Sequence, residues 1–134
     1  MFWNKGGVLN ISGDGVVEAQ SAKYSMAVWA QGGTTIINGG TYTNVGATGD
    51  DPTHYDLLYV KNGGQIEING GEFKCQTPKW TLNIKNASRE TASIVVKGGK
   101  FHGFNPMEAE EGNFVAPGYK VVEESADVFV VMPE

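Results

Sequence analysis

Apolar and polar residues alternate along most of the chain in short runs broken by Gly-Gly pairs, a period-two pattern that predicts strands joined by tight turns. One phrase recurs: apolar, any, apolar, one residue, Gly-Gly, one residue, aromatic. Its best copy is Ile66-Glu67-Ile68-Asn69-Gly70-Gly71-Glu72-Phe73. Further copies are Thr35-Ile36-Ile37-Asn38-Gly39-Gly40-Thr41-Tyr42 and Ile94-Val95-Val96-Lys97-Gly98-Gly99-Lys100-Phe101. A degraded first copy is Leu9-Asn10-Ile11-Ser12-Gly13-Asp14-Gly15-Val16, and the four start 26, 31 and 28 residues apart. A second phrase runs into each: Phe2-Trp3-Asn4-Lys5-Gly6-Gly7, Val28-Trp29-Ala30-Gln31-Gly32-Gly33 and Tyr59-Val60-Lys61-Asn62-Gly63-Gly64, with Asn83-Ile84-Lys85-Asn86 as a last copy lacking the glycines.

The repeating unit is therefore strand, turn, strand, variable loop, strand, turn. Side chains alternate faces along a strand, so every second residue points inward. Aligned on the glycines, the first strand places Leu9, Thr35, Ile66 and Ile94 in one inner column and Ile11, Ile37, Ile68 and Val96 in another. The second strand contributes Val16, Tyr42, Phe73 and Phe101. The third contributes Met1, Ala27, Leu58 and Leu82, with Trp3, Trp29, Val60 and Ile84. Columns matched in type at every repeat are what stacked coils require. The expectation is an all-β parallel β-helix of about four coils, three short strands per coil.

The turns account for the glycine. A sharp bend takes a positive φ, which Gly adopts without steric cost and Asn or Asp tolerates. Asp14 is accordingly read as standing where Gly40, Gly71 and Gly99 stand. Asn38 and Asn69 share a register with Ser12 and Lys97, an arrangement suited to stacked amide hydrogen bonds.

The character changes near residue 107. Residues 1–106 read as coils, and residues 107–134 as a C-terminal cap ending in a hairpin, Tyr119 to Val122 and Val128 to Met132. The first residues already read as the third strand of an earlier coil. The open apolar end is therefore expected to be covered by upstream coils or by symmetry mates in a homo-oligomer, most simply a trimer.

Composition narrows the function classes. A chain of 134 residues is one domain, and a net charge of −5 without a basic block argues against nucleic acid. Cys75 is the single cysteine, so no disulfide forms within the chain. No run approaches the roughly 20 apolar residues of a membrane span.

The Ile-x-Ile-Asn-Gly-Gly-x-Phe coil resembles the right-handed parallel β-helix superfamily, the pectate-lyase-like fold. So does the ending from Gly99-Lys100-Phe101 through Gly103-Phe104-Asn105-Pro106 to Asn113-Phe114-Val115-Ala116 and Gly118-Tyr119-Lys120-Val121. Within that superfamily the chain is similar to the C-terminal coils of adhesin-like proteins of gut bacteria and of phage tail proteins. The resemblance implies an extracellular, cell-surface or virion setting. Its hosts include lyases and hydrolases as well as shafts and adhesins, so fold alone does not choose an activity.

The candidate chemistry lies in the insertion after the second Gly-Gly phrase. Asp50, Asp51, His54, Tyr55 and Asp56 there, with Trp80, are the candidate ligand-binding residues. Asp50, Asp51 and Asp56 are also the candidate ligands for Ca²⁺, a hard cation that takes carboxylates; no other cofactor is expected. As turn formers the same residues equally suit a plain polar loop. Tyr24, Tyr55 and Trp80 on the loop side suit stacking on sugars, or packing of the loops. Arg89 is the sole arginine and stands at another corner, so a lyase base motif is absent. His102 is expected to point outward, within reach of Glu72, and Cys75 inward, with no His or Asp beside it. Ser12, Ser25, Ser88 and Ser93 lack a nucleophile context. The expected function is non-enzymatic: a structural or adhesive segment whose loops bind a polysaccharide or cell-surface glycan. The alternative is the end of a polysaccharide lyase or glycoside hydrolase with its active coils upstream, which requires carboxylates to converge near the loop.

Overall fold

In a computed structural model, which describes residues 1–21, 26–46 and 56–134, the repeats wind into a parallel β-solenoid of about three turns. Strand β1 (Phe2–Asn4) precedes the first coil, made of β2 (Val8–Ile11), β3 (Val16–Ser21) and β4 (Val28–Ala30). The next holds β5 (Thr34–Ile37), β6 (Thr41–Gly46) and β7 (Leu58–Val60), and the third β8 (Gln65–Ile68), β9 (Glu72–Lys74) and β10 (Leu82–Ile84). After β11 (Ser93–Val96) and β12 (Lys100–His102) the chain leaves the stack and returns as the hairpin β13 (Tyr119–Ser125) and β14 (Val128–Pro133). Three sheets result, in the orders β1-β4-β7-β10, β11-β8-β5-β2 and β13-β14-β12-β9-β6-β3, every pair within the coils parallel. The expected fourth coil stays incomplete, because the chain turns into the cap after β12.

In the pairs Gly39-Gly40, Gly70-Gly71 and Gly98-Gly99 the two glycines do different jobs. A Cβ on Gly70 would lie 2.7 Å from the carbonyl oxygen of Asn38 in the coil beneath, so the first glycine permits close stacking. Gly71 has a φ of 113°, so the second makes the left-handed bend. Beside them Asn69 donates its amide to Asn38 Oδ1 at 3.0 Å, and Asn38 donates to Ser12 Oγ at 3.3 Å, the expected amide ladder.

The columns of the first strand stand as expected, Leu9 with Thr35, Ile66 and Ile94, and Ile11 with Ile37, Ile68 and Val96. Two others shift by one residue. Val17, not Val16, stands in line with Tyr42, Phe73 and Phe101, and Val16 is 71% exposed. Asp14 does not replace a bend glycine: Gly13 takes the positive φ and Asp14 is an extra residue in that turn. In the third strand the inner columns are Phe2, Val28, Leu58 and Leu82, and Asn4, Ala30, Val60 and Ile84. Asn62 is the cause. It adds one residue to its turn, at φ 53°, so alignment on the glycines sets Trp3 and Trp29 beside Val60 in place of Asn4 and Ala30 and exchanges the faces of β1 and β4. Trp3 and Trp29 therefore point outward.

Inside, Tyr42, Phe73 and Phe101 are fully buried and stack one above another, with ring centroids 5.1 and 4.9 Å apart. The Tyr42 hydroxyl donates to the Gly39 carbonyl at 2.6 Å, so burial leaves it satisfied. Burying each such ring stabilises by about 1.5–3 kcal/mol, and each stacked pair adds about 0.5–1.5 kcal/mol. Asn4, the polar member of an inner column, donates to Thr34 O at 3.1 Å and to the buried Thr35 Oγ1 at 3.2 Å, and accepts from Gly6 N–H at 3.0 Å.

Three devices close the C-terminal edges of the three sheets. Strand β14 pairs antiparallel with β12. Val115 bridges β11, where the Val96 N–H donates to Phe114 O at 2.9 Å and Ala116 N–H to Val96 O at 3.0 Å. At β10 a side chain substitutes for a strand: Glu111 accepts the Ile84 N–H. No helix among the described residues is long and apolar enough to cross a membrane.

Candidate functional site

Because β1, β4, β7 and β10 are in register, their middle residues form one outward column, Trp3, Trp29, Tyr59 and Asn83. Trp3 and Trp29 stack with centroids 5.0 Å apart and planes 5° apart. Lys5 Nζ lies 4.2 Å from the centre of the Trp3 ring and Lys61 Nζ 4.9 Å from that of Trp29. These are cation–π distances, which hold flexible ammonium groups in place.

Beside this column lies a groove of about 980 Å³, lined among the described residues by Trp29, Asp56, Tyr59, Lys61, Trp80 and Asn83, with Met1, Met26 and residues 84–87 at its margins. Trp80 reaches it from the short 3₁₀ turn Pro78–Trp80, which Pro78 starts by supplying a helical φ at its first position. Lys79 Nζ lies 5.1 Å over the Trp80 ring. Asp56 precedes β7, is 1% exposed, and accepts from Asn83 Nδ2 at 3.0 Å. Burial first, then the nearby Asp56 and Glu111 carboxylates, push the Tyr59 hydroxyl above its ordinary pKa, so it remains a neutral donor at physiological pH.

Among the described residues, two groups in this region lack hydrogen-bond partners. The indole N–H groups of Trp29 and Trp80 are buried and have no hydrogen-bond acceptor, whereas Trp3 Nε1 donates to Gln31 Oε1 at 2.9 Å. A buried donor left unmatched costs about 1–3 kcal/mol, a cost that native structures seldom keep without a use.

Of the residues singled out in the sequence, Asp50, Asp51, His54 and Tyr55, together with Tyr24, lie outside the described residues. Asp56 and Trp80 are described, and both line the groove. Among the described residues no group of three His, Cys, Asp or Glu side chains is placed to hold a metal ion. The inward reading of Leu58 and Val60, and of Leu82 and Ile84, already turns Tyr59 and Asn83 outward, whereas Trp29 is expected inward and joins their outward column instead. Counting residues back from Val60, rather than from the glycines, would have placed Trp29 with them.

His102, Glu72 and Cys75 are not among the residues that line the groove. His102 Nε2 lies 2.6 Å from Glu72 Oε2 on the outer face of β9 and β12, the pairing within reach from the sequence. That hydrogen bond holds the Glu72 carboxyl below its usual range. Cys75 is buried as expected, and burial pushes its thiol to about 11. Its surroundings differ from expectation: Asn44 Nδ2 approaches Sγ at 3.5 Å and Asp56 is close enough to raise the thiol further. Searches against family models, curated proteins and solved structures found no match for this chain.

Proposed function

We propose that this chain is a non-enzymatic structural and adhesive segment of a cell-surface or virion protein, one that holds a glycan in the groove beside β4, β7 and β10. The pectate-lyase-like character of its repeats fits a shaft of this kind. The observation that carries the reading is the pair of buried, acceptor-less indole N–H groups of Trp29 and Trp80, two residues that line the groove together with Asn83 and Tyr59. Sugars offer alternating C–H faces and hydroxyl oxygens, which such a mixture of ring surface and donors accommodates. A rigid solenoid positions these groups at low entropic cost on binding.

The test is retention of the protein on an array of immobilised glycans, repeated with Trp80→Ala and Asn83→Ala. The expected result is binding to a subset of glycans, weakened about tenfold or more by either substitution in folded protein. Failure to retain any glycan, or retention unchanged in both variants, overturns the reading.

A further inference from the structure

We propose that the groove selects an anionic saccharide, one bearing a carboxylate or sulfate; this rests on the glycan reading and specifies its ligand class. The argument is an excess of donors. An indole nitrogen only donates, so Trp29 and Trp80 can be satisfied only by an acceptor. Lys61 and Lys85 are among the residues that line the groove, and a lysine ammonium carries three donors and no acceptor. In the free chain Lys61 Nζ rests 4.9 Å from the centre of the Trp29 ring.

Asp56 is the only anion among the described lining residues, and Asn83 engages its Oδ1. Two lysines against one aspartate make the described part of the lining net positive in a chain whose overall charge is −5. A neutral saccharide carries donors and acceptors in balance and would leave part of this surplus unmatched. A carboxylate or sulfate is acceptor-only and accepts charge-assisted bonds, which are about twice as strong as neutral ones. Both N–H groups are buried in the free chain, so meeting the anion requires each ring to turn, and for Trp29 the turn gives up its stack on Trp3.

The geometry of the three tryptophans supplies a direct readout. On binding, the indole N–H resonances of Trp29 and Trp80 should shift as they acquire an acceptor, while that of Trp3, already bonded to Gln31, should move only through the ring current of the neighbouring Trp29. The experiment titrates the folded chain with matched glycan pairs: hyaluronan and sialyllactose fragments against their carboxyl-reduced forms, and chondroitin sulfate against its desulfated form. The charged members are expected to bind about tenfold tighter or more, to weaken with added salt, and to shift the two indole signals. Replacing both lysines, Lys61→Gln with Lys85→Gln, should bring the charged and neutral members within about threefold of each other. Equal binding of both members overturns the charge selectivity and leaves the glycan reading standing. Binding of no member overturns both, and charge-selective binding without movement of the Trp29 and Trp80 signals overturns the assignment to this groove.

Discussion

The carboxylate of Glu111 accepts the main-chain N–H of Ile84 at 3.1 Å, and so a side chain from the cap closes the free edge of β10. Arg89 holds the same carboxylate at 3.2 Å. Glu111→Ala is expected to destabilise by about 1–3 kcal/mol in urea denaturation, because it strands a backbone donor. Burial raises the Glu111 pKa above the ordinary carboxylate value, against the lowering effects of the Ile84 amide and Arg89. A raised folded pKa contributes stability that is present below the unfolded value and lost as pH rises through the folded one. The wild type should therefore gain on Glu111→Gln as pH falls from neutral to about pH 4, and lose that gain on return. A difference that grows with rising pH would refute the assignment.

Phe73 sits between Tyr42 and Phe101 with no solvent exposure. Phe73→Ala removes the middle ring of the stack and is expected to cost about 3–5 kcal/mol. Thermal unfolding checks this: a loss below about 1 kcal/mol would mean that the coils close over the gap, against the close packing described.

Two turn glycines separate steric crowding from backbone flexibility. A Cβ on Gly32 would lie 2.6 Å from the carbonyl oxygen of Lys5 in the coil beneath, whereas one on Gly6 would meet nothing within 4 Å. Neither residue has a positive φ. Gly32→Ala is expected to cost about 1–3 kcal/mol, and Gly6→Ala to stay within about 0.5 kcal/mol of wild type. Equal effects in chemical denaturation would show that stacking distance is not what requires glycine here.

His102 and Glu72 form an ion-pair contact on a surface where both remain about one-third exposed. The depressed Glu72 pKa contributes stability above the unfolded carboxylate value that is lost as pH falls through the folded one. His102→Ala should cost less than about 1 kcal/mol near about pH 6, and the difference from wild type should shrink steadily as the solution is acidified and Glu72 is protonated. A difference that persists at the acid end would assign the effect to packing instead.

The strands were legible in the sequence because Ile, Val and aromatic residues recur at the parity that a buried face demands. The columns of Ile66 and Ile68 were read correctly, since no residue is inserted between their strand and the following Gly-Gly pair. Asp14 and Asn62 defeated the same reasoning. Each adds one residue to a turn, which the turn absorbs while the strand keeps its register with its neighbour, so a count anchored on glycine exchanges the two faces. That exchange hid the groove, because it sent Trp3 and Trp29 inward on paper. Trp80 and Asp56 were found from residue type alone, but Asp56 emerges as a buried acceptor and not as a loop-tip carboxylate. Glu111 carried no legible signal: its role depends on where the cap crosses β10, a contact between segments distant in sequence.

The hairpin that covers β12 also decides which strand the molecule shows to others. Without it the third sheet would end at Lys100-Phe101-His102, with an unpaired backbone beside the central aromatic stack. With it, the sheet ends at β13, where Lys120, Glu123 and Glu124 are exposed. Any strand from a second molecule adding there would have to accommodate charges of both signs, a deterrent to edge-to-edge aggregation. The cap thus works as a gatekeeper against fibre growth from this edge as well as a lid on the core.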